Sequence, residues 1–359
     1  MSGRLALRRG VVVSAEPLVV EVAGERRAAW ADTGLLGEMR EGDEVLVNVA
    51  ALDLRLGSGG FDVVHANLTR GLEGGAEGSE HVIKLNYTSL QHPVEPVERG
   101  LDEQARDLGF ESRDMSGKGT PSSRATVPVV VLPLHGHLAP AAWAAAQAAE
   151  GLGVGYVQTG GGALPGSLSR DVAGLRERGL LCGHITVGPA YGGEHEALST
   201  VGAIDAAAAA LGWDAVLVGP GPGIIGSQTA LGHGGMAALD NAHAALSLRL
   251  PTILSPRLSA ADPRERHRGV SHHTRAVLAL LLAPVTVAAP RGMGEIEAAL
   301  EAAAGERHRV VSAPAGLDAY AASGLPTRTM GRTLAEDPDF FAAALAAGSL
   351  LAATRSPQI

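Results

Sequence analysis

The chain has 359 residues and a formal net charge of −9, with 46% hydrophobic and 19% charged residues. This composition is ordinary for a globular protein with room for two domains. The acidic balance argues against nucleic acid as a partner, because such binding depends on Lys and Arg contacts with phosphates. A lone cysteine, Cys182, excludes an internal disulfide and a cysteine-built zinc site, and its apolar surroundings predict a small buried thiol.

The sequence gives no sign of a targeting or membrane segment. The first ten residues carry arginines but lack the apolar stretch of a signal peptide. Two apolar runs, residues 277–290 and 340–353, are shorter than the ~20 residues that a membrane span requires. We therefore expect a cytoplasmic protein with no membrane partner.

Residues 1–68 are expected to form a small β-barrel-like domain of OB or SH3 type. Short apolar runs alternate with turn residues, and one helical turn is predicted over residues 32–39. The predicted strands cover residues 11–14, 18–22, 26–30, 44–48 and 63–67. Because this stretch does not interleave aromatic with basic residues, we expect a structural or docking module rather than a nucleic-acid-binding one.

Residues 69–125 are expected to be an irregular, partly flexible connector. One strand is predicted over residues 81–90. The Gly/Glu-rich residues 71–79 and the polar residues 111–124 suggest flexible segments, the second of them disordered or a mobile lid.

Residues 126–359 alternate apolar strands with helical patterns. This order predicts an α/β domain with a doubly wound, mostly parallel sheet and helices on both faces. The predicted strands cover residues 127–134, 154–159, 181–187, 215–218, 252–254, 285–288 and 309–312. The predicted helices cover residues 139–150, 167–178, 194–211, 236–249, 274–282, 294–304 and 340–353. The last helix would pack on the sheet or on a partner, so a homo-oligomer stays open.

Glycine-rich and charged residues follow several of these strands, and ligands of open parallel sheets bind at the carboxyl ends of strands. Ser167 is a candidate helix cap there. Backbone N–H groups in two of the loops are suited to a small anionic ligand. The candidate binding residues are Thr159, Gly160, Gly161, Gly162, Gly221, Gly223, Gly226, Ser227 and Thr229.

The spacing Gly221-x-Gly223-x-x-Gly226 alone does not identify a nucleotide site. The following strand ends at Ser255-Pro-Arg257, without the carboxylate that holds a dinucleotide ribose. Ser227 stands where a phosphate-binding loop of the Walker type has lysine. The glycines are alternatively explained by a tight turn between sheet and helix. The cofactor is therefore left unknown.

Residues 262–274 carry three arginines and three histidines directly after a predicted strand. Arg264 and Arg266 are expected to clamp an anion, and His267 or His272 to act as general acid or base. Asp262 is expected to orient a histidine, and His135 is a further catalytic candidate. Ser271 is better explained as a helix cap than as a nucleophile. The alternative is a solvated charged loop or an Arg–carboxylate network between subunits.

Three groups of residues are of the types that bind metals. His135-x-His137 is a ligand-like pair, residues 194–196 read Glu-His-Glu, and His233 lies near a third loop. None of these matches a specific metal-binding spacing, so no metal ligand is predicted.

Five segments resemble those of a bacterial family catalogued only as a domain of unknown function, DUF3866. They read LGSGG with VVHAN at residues 56–67, HVIKLNYTSLQ at 81–91, GGALP at 161–165, GPGIIG at 221–226 and DPRERHRGVSHHT at 262–274. The resemblance extends over nearly the whole chain and implies no activity. It also implies that positions 137 and 233 are not usually histidine in such proteins.

The residues favour an enzyme acting on a small anionic or phosphorylated metabolite at the strand-end cleft. The alternative is a non-catalytic sensor or scaffold that binds a nucleotide or sugar phosphate and uses the barrel for docking. RNA association through the barrel is a third hypothesis, against which the acidic charge argues. Substrate and reaction type stay open.

Overall fold

The computed structural model describes residues 4–56, 59–72, 82–101 and 127–355. Contacts divide the chain into two compact units, Met1–Pro93 and Val94–Ile359. Most of the predicted connector, including residues 73–80 and the proposed lid at 111–124, lies outside the described residues. The two units are described separately.

The first unit contains a closed five-stranded barrel with strand order β1-β2-β3-β5-β4. Because β4 returns to pair with β1 beside the β1-β2-β3 meander, the strands form a Greek key, the arrangement of an OB-type barrel. The strands are β1 Leu7–Ala15, β2 Leu18–Val22, β3 Glu25–Trp30, β4 Glu44–Asn48 and β5 Asp62–Asn67. Two short helices accompany them, α1 Thr33–Leu36 and α2 Ala50–Asp53. The prediction of a small barrel is confirmed.

Alternating valines fill the barrel, since every second side chain of a strand points inward. Val20, Val45 and Val47 are fully buried there. Beyond the barrel, β6 (Val82–Lys84) pairs with β7 (His92–Val94). The strand predicted over residues 81–90 is limited to Val82–Lys84 in the described residues, because Leu85 and Tyr87 adopt φ values of 49° and 63° that extended strands do not have.

The second unit is built on an eight-stranded sheet in which every neighbouring pair is parallel. Its order is β11-β10-β9-β12-β8-β13-β16-β17. These strands are β8 Val129–Val131, β9 Val154–Thr159, β10 Gly183–Val187, β11 His195–Ala197, β12 Ala215–Pro220, β13 Thr252–Leu254, β16 Thr286–Pro290 and β17 Arg309–Ala313. Two small antiparallel pairs lie outside the sheet, β14 Leu258–Ser259 with β15 Gly269–Val270, and β18 Arg328–Thr329 with β19 Arg332–Thr333.

Helices cover both faces of this sheet, as predicted for a doubly wound domain. One apolar core contains residues of α5 Thr200–Ala209, α6 Ala237–Ser247, α7 His272–Leu280 and α8 Gly294–Ala304. The other contains residues of α3 Leu138–Ala148, α4 Arg170–Glu177, α9 Leu317–Ala321 and α10 Pro338–Arg355. The chain therefore leaves β8 for one face and β12 for the opposite face, which makes their carboxyl ends a topological switch point.

Three local predictions are corrected. The helix expected from residue 194 begins at Thr200, because residues 195–197 form the edge strand β11. Ser169, rather than Ser167, caps α4, its side chain accepting from the N–H of Val172. Cys182 is exposed rather than buried. The partial burial of its thiol still raises the pKa of that group.

Helix α10 packs against α3 and the sheet, and Phe340, Phe341 and Leu345 are almost wholly buried. Within the described residues, no helix combines the length and the apolar character needed to cross a membrane.

Candidate functional site

A cavity of about 550 Å³ lies at the carboxyl end of the parallel sheet. Its wall includes Leu134 and His135 after β8, residues 222–226 after β12, and Arg257 after β13. The cavity therefore occupies the switch point, where the connections leave for opposite faces and open a crevice. Its volume falls in the range of about 300–1,000 Å³ that small-molecule sites have.

Positive charge dominates the cavity wall. Among the described lining residues Asp171 is the one carboxylate. The lining arginines are Arg257, Arg264, Arg266 and Arg328. Such an excess of guanidinium groups attracts carboxylate and phosphate ligands.

Asp262 organises two of these arginines. Its carboxylate is fully buried, accepts two hydrogen bonds of 2.9 Å from the Nε and Nη2 of Arg264, and lies 3.3 Å from Nη2 of Arg257. Burial alone would raise the pKa of Asp262, but the Arg264 hydrogen bonds hold it below its usual range. Asp262 was expected to orient a histidine; in the described bonds it orients arginines instead.

Arg257 is the most deeply placed of the four arginines. Its side chain is buried, and burial lowers the pKa of its guanidinium to about 10 despite the favourable charge of Asp262. One Nη1 hydrogen bond of 3.0 Å reaches Nδ1 of His273, whereas its buried Nε has no partner within the described structure. An unpartnered buried donor is costly, so a ligand that accepts from Arg257 would stabilise the site.

Four histidine rings meet beside Arg257. The rings of His233 and His273 stack with centroids 3.5 Å apart and planes within 7°. His272 lies with its centroid 4.4 Å from His273, and His267 lies 4.6 Å from His272. Ser271 caps α7, as predicted, because its hydroxyl accepts a hydrogen bond from the N–H of His273. The same hydroxyl lies 2.8 Å from Nδ1 of His267 and holds that ring in place.

These histidines are kept neutral. Burial, followed by the charge of Arg257, lowers the pKa of His267 to about 3 and that of His273 to about 2. Burial is also the largest cause that lowers the pKa of His233 and of His272. A neutral imidazole offers a lone pair, with which it accepts a proton or binds a metal.

His135 forms a separate corner of the cavity. Its Nε2 lies 2.8 Å from the hydroxyl of Ser169 and 3.8 Å from the carboxylate of Asp171, while its Nδ1 faces the carbonyl of Pro220 at 3.3 Å. Burial lowers the pKa of His135, and the nearby Asp171 opposes that shift. The structure therefore places His135 in the cavity but apart from the histidine cluster.

The first glycine loop has a structural role in the described contacts. Thr159, Gly160, Gly161 and Gly162 are not among the lining residues. A Cβ added to Gly162 would lie 2.1 Å from the carbonyl oxygen of Gly221, and one added to Gly234 would lie 1.8 Å from that of Gly161. These glycines allow three backbone segments to cross closely.

The second glycine loop borders the cavity in part. Gly223, Gly226 and Thr229 line it, whereas Gly221 and Ser227 do not. Ser227 instead hydrogen bonds Thr229 and the carbonyl of Gly232, closing a turn over residues 226–233. This turn brings His233 to the cluster.

Sequence reasoning missed several residues that line the cavity. Arg257, Asp171 and Arg328 line it and are not among the candidates that the sequence indicates. The groups weighed for a metal are not brought together: His137 is buried against Ser255, and Glu194 pairs with Arg176. A useful signal would have been charge directly after an apolar strand, as at Arg257.

The fold and site define an α/β protein with a cationic cleft at the sheet edge of its second unit and an OB-type barrel in its first unit. Residues 28–348 match the family described as a protein of unknown function (DUF3866), so the chain belongs to this family and the predicted resemblance is confirmed. The matched residues include every segment that lines the cavity. No curated protein and no solved structure matches the chain.

Proposed function

We propose that the protein is an enzyme that acts on a small anionic or phosphorylated metabolite bound in the sheet-edge cavity. The observation that carries the proposal is the arginine content of the wall: four arginines line it, Asp171 is the one carboxylate among the described lining residues, and the buried Asp262 behind the wall pairs with two of the four, Arg257 and Arg264. Surface arginines are common, but Arg257 is 3% exposed and has an unpartnered buried Nε, which solvation does not explain.

Two of the lining arginines, Arg264 and Arg266, are held in a fixed orientation by hydrogen bonds within the protein. Asp262 engages Nε and Nη2 of Arg264, which fixes the plane of a guanidinium that borders the cavity. The Nη1 of Arg266 is held by the carbonyl of Gln228 at 3.3 Å. Because a fixed guanidinium loses less conformational entropy on binding, this arrangement favours affinity for planar or tetrahedral oxyanions.

The proposed chemical step depends on the position of His267. Its ring lines the cavity, and the contact with Ser271 fixes its orientation. Burial keeps the imidazole of His267 neutral in the free protein, and the negative charge of the bound metabolite would raise its pKa, so that His267, with His272 beside it, accepts a proton from that metabolite. Backbone N–H groups of residues 223–226 contribute further donors to the anion.

A matched pair of arginine variants tests binding. Arg266 and Arg268 are both exposed and two positions apart, but only Arg266 lines the cavity. Calorimetric titration with inorganic phosphate should show affinity about 10- to 100-fold weaker in Arg266→Gln, as expected for a lost charged hydrogen bond. Arg268→Gln should bind like the wild type. Equal affinity of the two variants would contradict the proposal.

Turnover is tested separately. Incubating the chain with a mixture of phosphorylated and carboxylated metabolites, followed by mass spectrometry, should reveal a substrate that is consumed. His267→Gln should abolish that consumption while its unfolding curve stays close to the wild type. Binding without any consumption would leave the protein in the class of sensors and overturn the assignment as an enzyme.

A further inference from the structure

We infer that His233, His272 and His273 form a binding site for a divalent first-row metal ion of the Zn²⁺ type at the edge of the cavity. One ring nitrogen from each residue lies within 4.8 Å of the others. The three residues come from two segments, the turn after β12 and the start of α7, that meet only in the folded chain. This inference does not depend on the anion proposed above.

Two of the rings present their lone pairs in the manner of metal ligands. Nε2 of His233 donates to the carbonyl of Ala230 at 3.0 Å, so its Nδ1 carries the lone pair, and that atom is buried without a partner in the described structure. His272 likewise has a buried Nδ1 without a partner in the described structure, and the backbone of Arg266 near its ring opposes the lowering of its pKa by burial. Metal-binding histidines donate their second nitrogen to a carbonyl, as His233 does.

The third ring, that of His273, has to be released and reoriented before it completes the site. A Cβ built on Gly235 would lie 3.0 Å from Nδ1 of His273 and 3.1 Å from Nδ1 of His233, so both nitrogens flank the same glycine. Nδ1 of His273 accepts a hydrogen bond from Arg257 and its ring is parallel to that of His233. Metal binding therefore requires Arg257 to release this nitrogen and one ring to turn, since a metal lies near the plane of each imidazole.

The ligand set decides the kind of ion. Three neutral imidazoles suit Zn²⁺ and related first-row ions, whereas Mg²⁺ and Ca²⁺ prefer oxygen ligands. Three protein ligands leave a fourth position for water or for an anion. Because Arg257 adds a positive charge beside the ion, an anionic group in that position would relieve the repulsion between them.

The site is tested by dialysing the full chain, prepared without a histidine tag, to equilibrium against Zn²⁺. Elemental analysis then gives the amount of metal bound per chain. We expect one tightly held ion per chain. His233→Gln and His272→Gln should each weaken binding at least 10-fold, and His195→Gln, which removes a histidine outside the cluster, should not. Gly235→Ala keeps all three ligands but places a methyl group between two of them, so it should also weaken binding.

The outcomes are distinct from those for the anion. Arg266→Gln should hold at least as much Zn²⁺ as the wild type, because it keeps all three histidines and removes a positive charge that acts on His233 and His272. Co²⁺ bound in place of Zn²⁺ should give visible absorption bands of nitrogen-ligated cobalt that His272→Gln loses. Absence of bound metal in the wild type, or undiminished binding in both histidine variants, would overturn the inference.

Discussion

Asp262 and Arg264, two residues apart, are joined by two side-chain hydrogen bonds of 2.9 Å, one from Nε and one from Nη2. The carboxylate is fully buried and also lies within 3.5 Å of Arg332. A buried anion therefore fixes a cation at the cavity wall, which links the stability of this loop to its capacity to hold a ligand.

Replacing Asp262 with Asn should destabilise the second unit. Removing one partner of a buried ion pair costs about 3–5 kcal/mol, because Arg257 and Arg264 are left without their counter-charge. Urea unfolding at pH 7 measures this free energy. Since the pKa of Asp262 is below its usual range, the wild-type advantage should be full above about pH 4 and decline as the pH falls further. An advantage that grew on acidification would contradict the ion-pair account.

Buried histidines should make the protein sensitive to mild acid. Burial lowers the pKa of His137 to about 3, and its Nδ1 is 2.9 Å from the hydroxyl of Ser255. Below about pH 6.5 this histidine binds a proton in the unfolded chain but not in the folded chain. The free energy of unfolding therefore decreases by up to about 1.4 kcal/mol for each unit by which the pH is lowered. Unfolding of the wild type and His137→Gln at pH 7, 6 and 5 compares the slopes. Equal slopes would show that His137 is not responsible.

Close backbone crossing should make Gly234 intolerant of a side chain. A Cβ there would lie 1.8 Å from the carbonyl oxygen of Gly161, so Gly234→Ala must force two loops apart. We expect a loss of more than about 2 kcal/mol, as for other overpacked sites. Gly174→Ala, in the middle of α4 with no atom within 4 Å of the new methyl group, should gain about 0.5–1 kcal/mol. Thermal unfolding of both variants measures the two effects. Equal changes in the melting temperature of the two variants would contradict this prediction.

Periodicity was sufficient for most of the architecture. The apolar runs at 154–159 and 252–254 become strands with those bounds, because a strand buried on both faces needs continuous apolar residues. The edge strand β11 was missed since its sequence, His-Glu-Ala, is polar and only three residues long. Hydrogen bonding to β10 holds these residues in an extended conformation. Such pairing between distant residues cannot be predicted from the local sequence.

The site was predictable as a location and less so as a set of residues. Ligand-binding loops of parallel sheets converge at one edge, which brought His135, Gly223 and Arg264 to one cavity as expected. The meeting of His233 with His272 follows from how a turn folds over a helix start, and no spacing encodes it. A glycine that permits two backbone segments to cross closely cannot be distinguished in sequence from a glycine that binds an anion. For this reason residues 159–162 are predicted to bind the ligand although they do not line the cavity.

Native mass spectrometry of the full chain, purified without added phosphate, tests the central claim most directly. The account predicts that a small phosphate- or carboxylate-bearing molecule accompanies the wild type and Arg268→Gln but is lost from Arg266→Gln. Retention of the same molecule by Arg266→Gln would contradict the claim that the arginine-lined cavity is the binding site.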